Sequence, residues 1–269
     1  LDELNILKKH PASWMPPPNS LQLRDLQIHL WRSGLNFHKD RLSELNRSLS
    51  DEEHRRSERF RFRRDRHAFI AARGILRKIL SLYCDASPEH LEFDYAARGK
   101  PSLTGLHRND DIRFNVSHSR GLALYAIVRA RHVGVDVEYV RAITSMDHIA
   151  ARLFLPEDCA WLTSLPRGSR QTAFYVCWTR REAYLKAKGS SIMRCVTSSA
   201  RSLLSEQDTE GVAVIEEPDA SGLWSVWQLD PGPGYAGALV LEGIGGELRC
   251  FQFPKEDAQT PLHSGKTAL

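Results

Sequence analysis

Apolar residues recur at helical spacing between Arg66 and Tyr83. Phe69, Ala72, Leu76, Ile79 and Tyr83 fall on one stripe, at i, i+3, i+7, i+10 and i+14, which predicts a long core helix. Upstream, Ser50 is followed three residues later by Glu53, the signature of a capping box that opens another helix. The period then shortens. Ile112 to Val116 alternates apolar and polar, Leu122 to Val128 and Val133 to Val137 follow, and turn residues separate them, so three strands are predicted. Met146 to Phe154 and Gln171 to Lys188 read as helices. Leu223 to Leu229 and Tyr235 to Leu241 flank Pro231-Gly232-Pro233-Gly234 and read as strand, turn and strand. Pro11 to Ser20 reads as an extended lead-in, and the polar stretch after Pro254 as a mobile tail. Helix then strands, followed by helices then strands, predicts an α+β protein of two similar halves joined near residue 130.

Composition adds little that is specific. The 269 residues are 42% hydrophobic and 26% charged, with a formal net charge of +4, as for an ordinary globular protein. The five cysteines are scattered and form no Cys-x-x-Cys pair, which argues against a disulfide framework or structural zinc and for buried thiols in a reducing compartment. Leu1 to Ser20 has no apolar core of signal-peptide length, and the longest apolar run, Leu122 to Val128, is too short to cross a bilayer. A cytoplasmic location is expected.

Candidate chemistry lies in a few short patterns. On the strand from Val133, the valines share one face, while Gly134, Asp136 and Glu138 share the other. The two acids are then roughly 6.6 Å apart and repel by roughly 2 kcal/mol. That pair suits either a solvated edge or a hard divalent cation with oxygen ligands. Trp178, Glu182 and Lys186 share a helical stripe, read as a surface ion pair or as an acid held beside a packed indole. Arg98-Gly99-Lys100-Pro101 is a turn whose lysine could meet phosphate. Ser117 and His118 end a strand, but neighbours on a strand face opposite ways, so a nucleophile–base dyad is disfavoured. Residues Arg55 to Arg66 hold seven arginines against two acids, open to a solvated face, a phosphate site or nucleic-acid contact.

Taken in order, Gly99-Lys100-Pro101, Phe114 to Ser119, Gly134 to Glu138 and Trp178 to Lys186 resemble the successive motifs of the larger, two-halved phosphopantetheinyl transferases, the surfactin-synthetase-activating type. The resemblance spans Arg55 to about Gly189. Arg181 stands where lysine usually precedes the glutamate, and Val116 replaces the commoner leucine or isoleucine. The resemblance implies two similar sub-domains about a pseudo-twofold axis, each a small, mostly antiparallel sheet packed on a helix. Residues 1–130 would carry the contacts to coenzyme A, and residues 131–269 the metal and catalytic carboxylates. It implies Mg²⁺-dependent transfer of 4′-phosphopantetheine from coenzyme A to a serine hydroxyl of an apo acyl or peptidyl carrier protein, releasing 3′,5′-adenosine bisphosphate.

The same resemblance implies residue roles. Asp136, Glu138 and Glu182 hold Mg²⁺; Glu182 helps remove the serine proton, and Lys186 lies along the pyrophosphate. Gly99, Lys100 and Pro101 meet the adenosine end. His118 and Arg56 neighbour the 3′-phosphate, with Ser117 close by and Arg73 on the helix that lines the pocket. A monomer that binds neither nucleic acid nor membrane is implied. Two other functions use the same residues: a nucleic-acid-binding module built on Arg55 to Arg66, and a Mg²⁺-dependent phosphodiesterase built on the carboxylates.

Overall fold

Strands that are buried on both faces organise this fold. The computed structural model describes residues 10, 13–18, 20–84, 86–95, 101–104, 111–189, 212–216 and 222–254. Its elements are β1 (Gln27–Gly34), α1 (Lys39–Arg47), α2 (Asp51–Glu58), α3 (Arg63–Ser81), β2 (Phe93–Tyr95), β3 (Pro101–Leu103), β4 (Ile112–Ser119), β5 (Leu122–Arg129), β6 (Val133–Tyr139), α4 (Met146–Leu153), α5 (Pro156–Ser164), α6 (Arg167–Ala187), β7 (Val212–Glu216), β8 (Leu223–Leu229), β9 (Tyr235–Glu242) and β10 (Glu247–Gln252).

Two four-stranded sheets form. The first has the order β10-β1-β5-β4 and the second β6-β9-β8-β7; β2 and β3 make a small separate pair. All neighbours are antiparallel except β1 and β10, which run parallel. The last strand therefore returns to the first sheet.

The sheets pack face to face and each carries one long helix on its outer face. In the middle layer Ile28, Leu30, Leu124, Ala126 and Val128 meet Val133, Val135, Val137, Trp227, Leu239 and Leu241. On the far side of the first sheet, Trp31, Tyr125, Ile127 and Phe251 cover Ile75, Leu76 and Ile79 of α3. On the far side of the second, Trp224, Val226, Ala238 and Val240 cover Ala183, Tyr184 and Ala187 of α6. A sheet packed on a helix is thus built twice, giving an α+β fold of two halves. α4 and α5 cover the N-terminal part of α6 through Ala150, Phe154, Leu162 and Phe174.

The helix α3 starts at Arg63, six residues before the apolar stripe, because its first turn faces solvent and leaves no apolar signal. Tyr83 lies just past its end yet stays in the core region. The Ser50–Glu53 capping box forms as read. The lead-in is described only in part, with Met15 bridged to Phe251; the polar tail and Cys195 lie outside the described residues. Cys84, Cys159, Cys177 and Cys250 form no disulfide, and three of them are buried. Among the described residues, no helix is long and apolar enough to cross a membrane.

Candidate active site

The site lies on the seam between the sheets, where edge strands β4 and β6 run side by side. Main-chain pairing does not join them. Instead, alternate side chains of β4 reach the free N–H groups of β6. Val135 N–H donates to Asn115 Oδ1 at 2.9 Å, Val137 N–H to Ser117 Oγ at 3.4 Å and Tyr139 N–H to Ser119 Oγ at 3.2 Å. An edge that would otherwise bury unpaired donors is thereby satisfied.

The same hydroxyls turn toward the carboxylates. Ser117 Oγ donates to Asp136 Oδ1 and Ser119 Oγ to Glu138 Oε2, each at 2.8 Å. Asp136 is buried, and its Oδ2 has no hydrogen-bond partner. The sequence reading that put both acids on the face opposite the valines holds, since Val133, Val135 and Val137 sit in the middle layer.

Gly134 brings α6 onto this strand. A Cβ there would lie 1.9 Å from the Ala183 carbonyl oxygen and 2.5 Å from the Ala187 nitrogen, so only glycine lets helix and strand approach so closely. That contact carries Glu182 and Lys186 to the seam. Lys186 Nζ donates to Asp136 Oδ1 at 2.6 Å, to Ser117 Oγ at 2.9 Å and to the Val135 carbonyl at 3.3 Å. One helical turn away, burial raises the pKa of Glu182; the negative charges of Asp136 and Glu138 add to it, against Lys186 and Arg181. Burial raises Glu138 as well, opposed by the Ser119 hydrogen bond and assisted by the charge of Asp136. Trp178, further along the stripe, stacks on Phe174 with ring centroids 6.0 Å apart.

Glu138 and Glu182, whose ionised forms burial and the neighbouring charges disfavour, and the orphaned oxygen of Asp136 make an all-oxygen set that suits a hard cation. Among the described residues, no three His, Cys, Asp or Glu side chains converge closely enough to enclose an ion as they stand. Lys186 occupies Asp136 Oδ1 in this arrangement.

A cationic flank adjoins the carboxylates on the side of α3. Glu53, buried at the start of α2, accepts from Arg77 Nε at 2.7 Å and pairs with Arg73 Nε at 3.3 Å. The Arg73 guanidinium lies 5.6 Å from the Phe93 ring and 5.8 Å from that of Tyr95, and its Nη1 is buried without a partner. His118 points away from Ser117 and keeps an edge in solvent. The protein packed around it, and then the charges of Lys186 and Arg73, lower its pKa. Arg56 is exposed, 5.6 Å above the Phe69 ring, within the solvent-facing arginine run.

The structure thus gathers Asp136, Glu138, Glu182, Lys186 and Ser117 at the seam, with His118 and Arg73 beside them. Pro101 opens β3 opposite Tyr95, while Gly99 and Lys100 lie outside the described residues. Sequence reasoning gave no role to Tyr95 or Ser119, and read Glu53 only as a helix cap. Only Ser119 left a trace, as the residue two places beyond Ser117 and so on its face.

Residues 132–240 match the 4′-phosphopantetheinyl transferase superfamily, and residues 36–129 match the N-terminal region described for 4′-phosphopantetheinyl transferases. The chain is 35% identical over 244 residues to the 4′-phosphopantetheinyl transferase HetI of Nostoc sp., covering 90% of this chain and 98% of that one. It is 25% identical over 191 residues to the 4′-phosphopantetheinyl transferase Sfp of Bacillus subtilis, covering 71% and 81%. Identity to the L-aminoadipate-semialdehyde dehydrogenase-phosphopantetheinyl transferase of Mus musculus is 28%, over 53% and 49%.

Proposed function

Because the chain belongs to the 4′-phosphopantetheinyl transferase superfamily, we propose that the β4–β6–α6 seam is where it works on coenzyme A. The protein is an enzyme that transfers phosphopantetheine from coenzyme A to carrier proteins. In our reading the acceptor is a serine hydroxyl of an apo acyl or peptidyl carrier protein, and 3′,5′-adenosine bisphosphate leaves.

Asp136, Glu138 and Glu182 would hold Mg²⁺, which when bound neutralises charge on the pyrophosphate. The observation that carries this is the buried, partnerless Oδ2 of Asp136 beside two carboxylates whose pKa values burial, and then its charge, raise. Glu182 accepts the serine proton as the hydroxyl oxygen attacks the phosphorus that bears the pantetheine arm. Lys186 supplies positive charge to the pyrophosphate, and its hydrogen bonds to Asp136, Ser117 and the Val135 carbonyl fix where that charge sits. His118 donates a hydrogen bond, and Arg73 and Arg56 supply charge, to the 3′-phosphate. Gly99, Lys100 and Pro101 meet the adenosine.

We take the halves to be residues 1–130 and 131–269, and the protein to be a cytoplasmic monomer that binds neither nucleic acid nor membrane. The cysteine thiols support a reducing compartment. Purified protein, coenzyme A and a panel of apo carriers, with and without Mg²⁺, are weighed by mass spectrometry. A phosphopantetheine adduct that needs Mg²⁺ is expected for wild type. Asp136→Ala should lower the rate by ~100-fold or more while keeping its circular dichroism spectrum. Adducts of equal yield in EDTA would remove the metal from this reading.

A further inference from the structure

The serine ladder of β4 does more than seal the seam, and one rung stands apart from the metal and substrate residues already assigned. We propose that Ser119 is a positioning residue that sets the orientation of the Glu138 carboxylate toward Mg²⁺. This rests on the metal reading above.

The geometry argues for it in three steps. Ser119 sits two residues after Ser117 on the same face of β4, and Glu138 sits two residues after Asp136 on the same face of β6. β4 and β6 run in the same direction, so both serine–carboxylate pairs span the same 19 residues and have the same length, 2.8 Å. Each hydroxyl is itself pinned from behind. Ser119 Oγ accepts the Tyr139 N–H at 3.2 Å and must therefore aim its proton outward, at Glu138 Oε2. A hydroxyl with one lone pair held by backbone is a directional donor. One carboxylate oxygen is committed to it, and the other is left for a cation.

Electrostatics explain why such a hold is needed. Glu138 is half-buried and pushed by the charge of Asp136. That repulsion favours a swing of Glu138 away from Asp136. The Ser119 donor opposes that swing. The partner of Asp136 differs, because Ser117 Oγ is shared with Lys186 Nζ, so Asp136 is held from two sides and Glu138 is held by Ser119.

Asn115 supplies an internal control. It occupies the first rung, accepting the Val135 N–H at 2.9 Å, and has no hydrogen bond to either carboxylate. A purely structural ladder predicts that Asn115→Ala and Ser119→Ala behave alike. A positioning role predicts that only Ser119→Ala loosens the ion.

The test measures Mg²⁺ binding by titration calorimetry in the presence of coenzyme A, alongside the Mg²⁺ dependence of transfer. Ser119→Ala should weaken Mg²⁺ affinity by ~10-fold, the usual cost of losing an outer hydrogen bond to a metal ligand. Ser119→Thr, which keeps the hydroxyl, should recover it, and Asn115→Ala should bind Mg²⁺ as wild type does. If Ser119→Ala fails to fold, Ser119→Cys, of similar shape but a poor donor, takes its place. Unchanged affinity in the Ala or Cys variant, or an equal loss in Asn115→Ala, overturns the proposal while leaving the metal reading intact. A wild-type protein that binds no Mg²⁺ with coenzyme A overturns both.

Discussion

His29 is a polar residue sunk among aromatic rings far from the carboxylates. Its Nδ1 lies 2.9 Å from the Tyr83 hydroxyl, which also accepts the Trp31 indole N–H at 2.8 Å. Either group can supply the proton of the His29–Tyr83 bond, which leaves Nε2 as the second ring nitrogen. That Nε2 is buried and has no partner. Burial, and then the charge of Arg249, lower the pKa from 6.5 to about 4, against the opposing charge of Glu247. Between those values the unfolded chain binds a proton that the folded one refuses. Stability therefore falls as pH drops from 6.5 toward 4 and changes no further from this source below that. The loss is about 3 kcal/mol. Urea midpoints at pH 7 and pH 4.5 should fall further for wild type than for His29→Phe, which has nothing to titrate. Parallel falls would show that His29 is not the cause.

Among the elements, the contact of α6 with β6 decides whether a site exists at all. At Gly134 the Ala183 carbonyl reaches the strand, and what a Cβ there would meet is backbone, which cannot rotate aside. Gly134→Ala should cost about 3 kcal/mol and move Lys186 off Asp136. Transfer should fall more than thermal stability alone accounts for, even well below the melting temperature. Normal kinetics in a folded Gly134→Ala protein would mean that α6 can stand off without harm. What the chain revealed in advance follows the same logic of contacts. β4, β5, β8 and β9 were legible because turn residues bracket them, and the Asp136–Glu138 pair because alternation alone sets its face. β1 was not, since Ile28 and Leu30 face one layer while His29 and Trp31 face another, which erases the polar alternation that marks a strand. α5 also went unread: its apolar positions do not gather into a face, and it packs mainly on α6. The hold of Glu53 on Arg73 was hidden for another reason. A capping glutamate looks the same whether or not an arginine from a later helix comes to meet it.

At the scale of the whole molecule, the middle layer makes one cooperative body of two halves. Ile28, Leu30, Leu124 and Val128 on one sheet, and Val133, Val135, Val137, Trp227, Leu239 and Leu241 on the other, are all nearly or fully buried. Each such side chain gives back roughly 1.5–3 kcal/mol when exposed. Separating the sheets would therefore cost more than the ~5–15 kcal/mol that holds a typical domain together. β10 adds a second tie, since it leaves the second half to complete the first sheet along β1. The halves should not unfold one at a time. Amide hydrogen exchange at Leu30 and at Leu239 should give the same opening free energy, equal to the global value from urea. Opening energies that differ by more than ~1 kcal/mol would show independent halves. The consequence reaches function, because Asp136 and Ser117 belong to different sheets and keep their 2.8 Å contact only while both sheets stand. A ligand that bridges the seam binds the folded state alone, so coenzyme A with Mg²⁺ should raise protection at Leu30 and Leu239 by equal amounts. A rise confined to one sheet would place the ligand away from the seam.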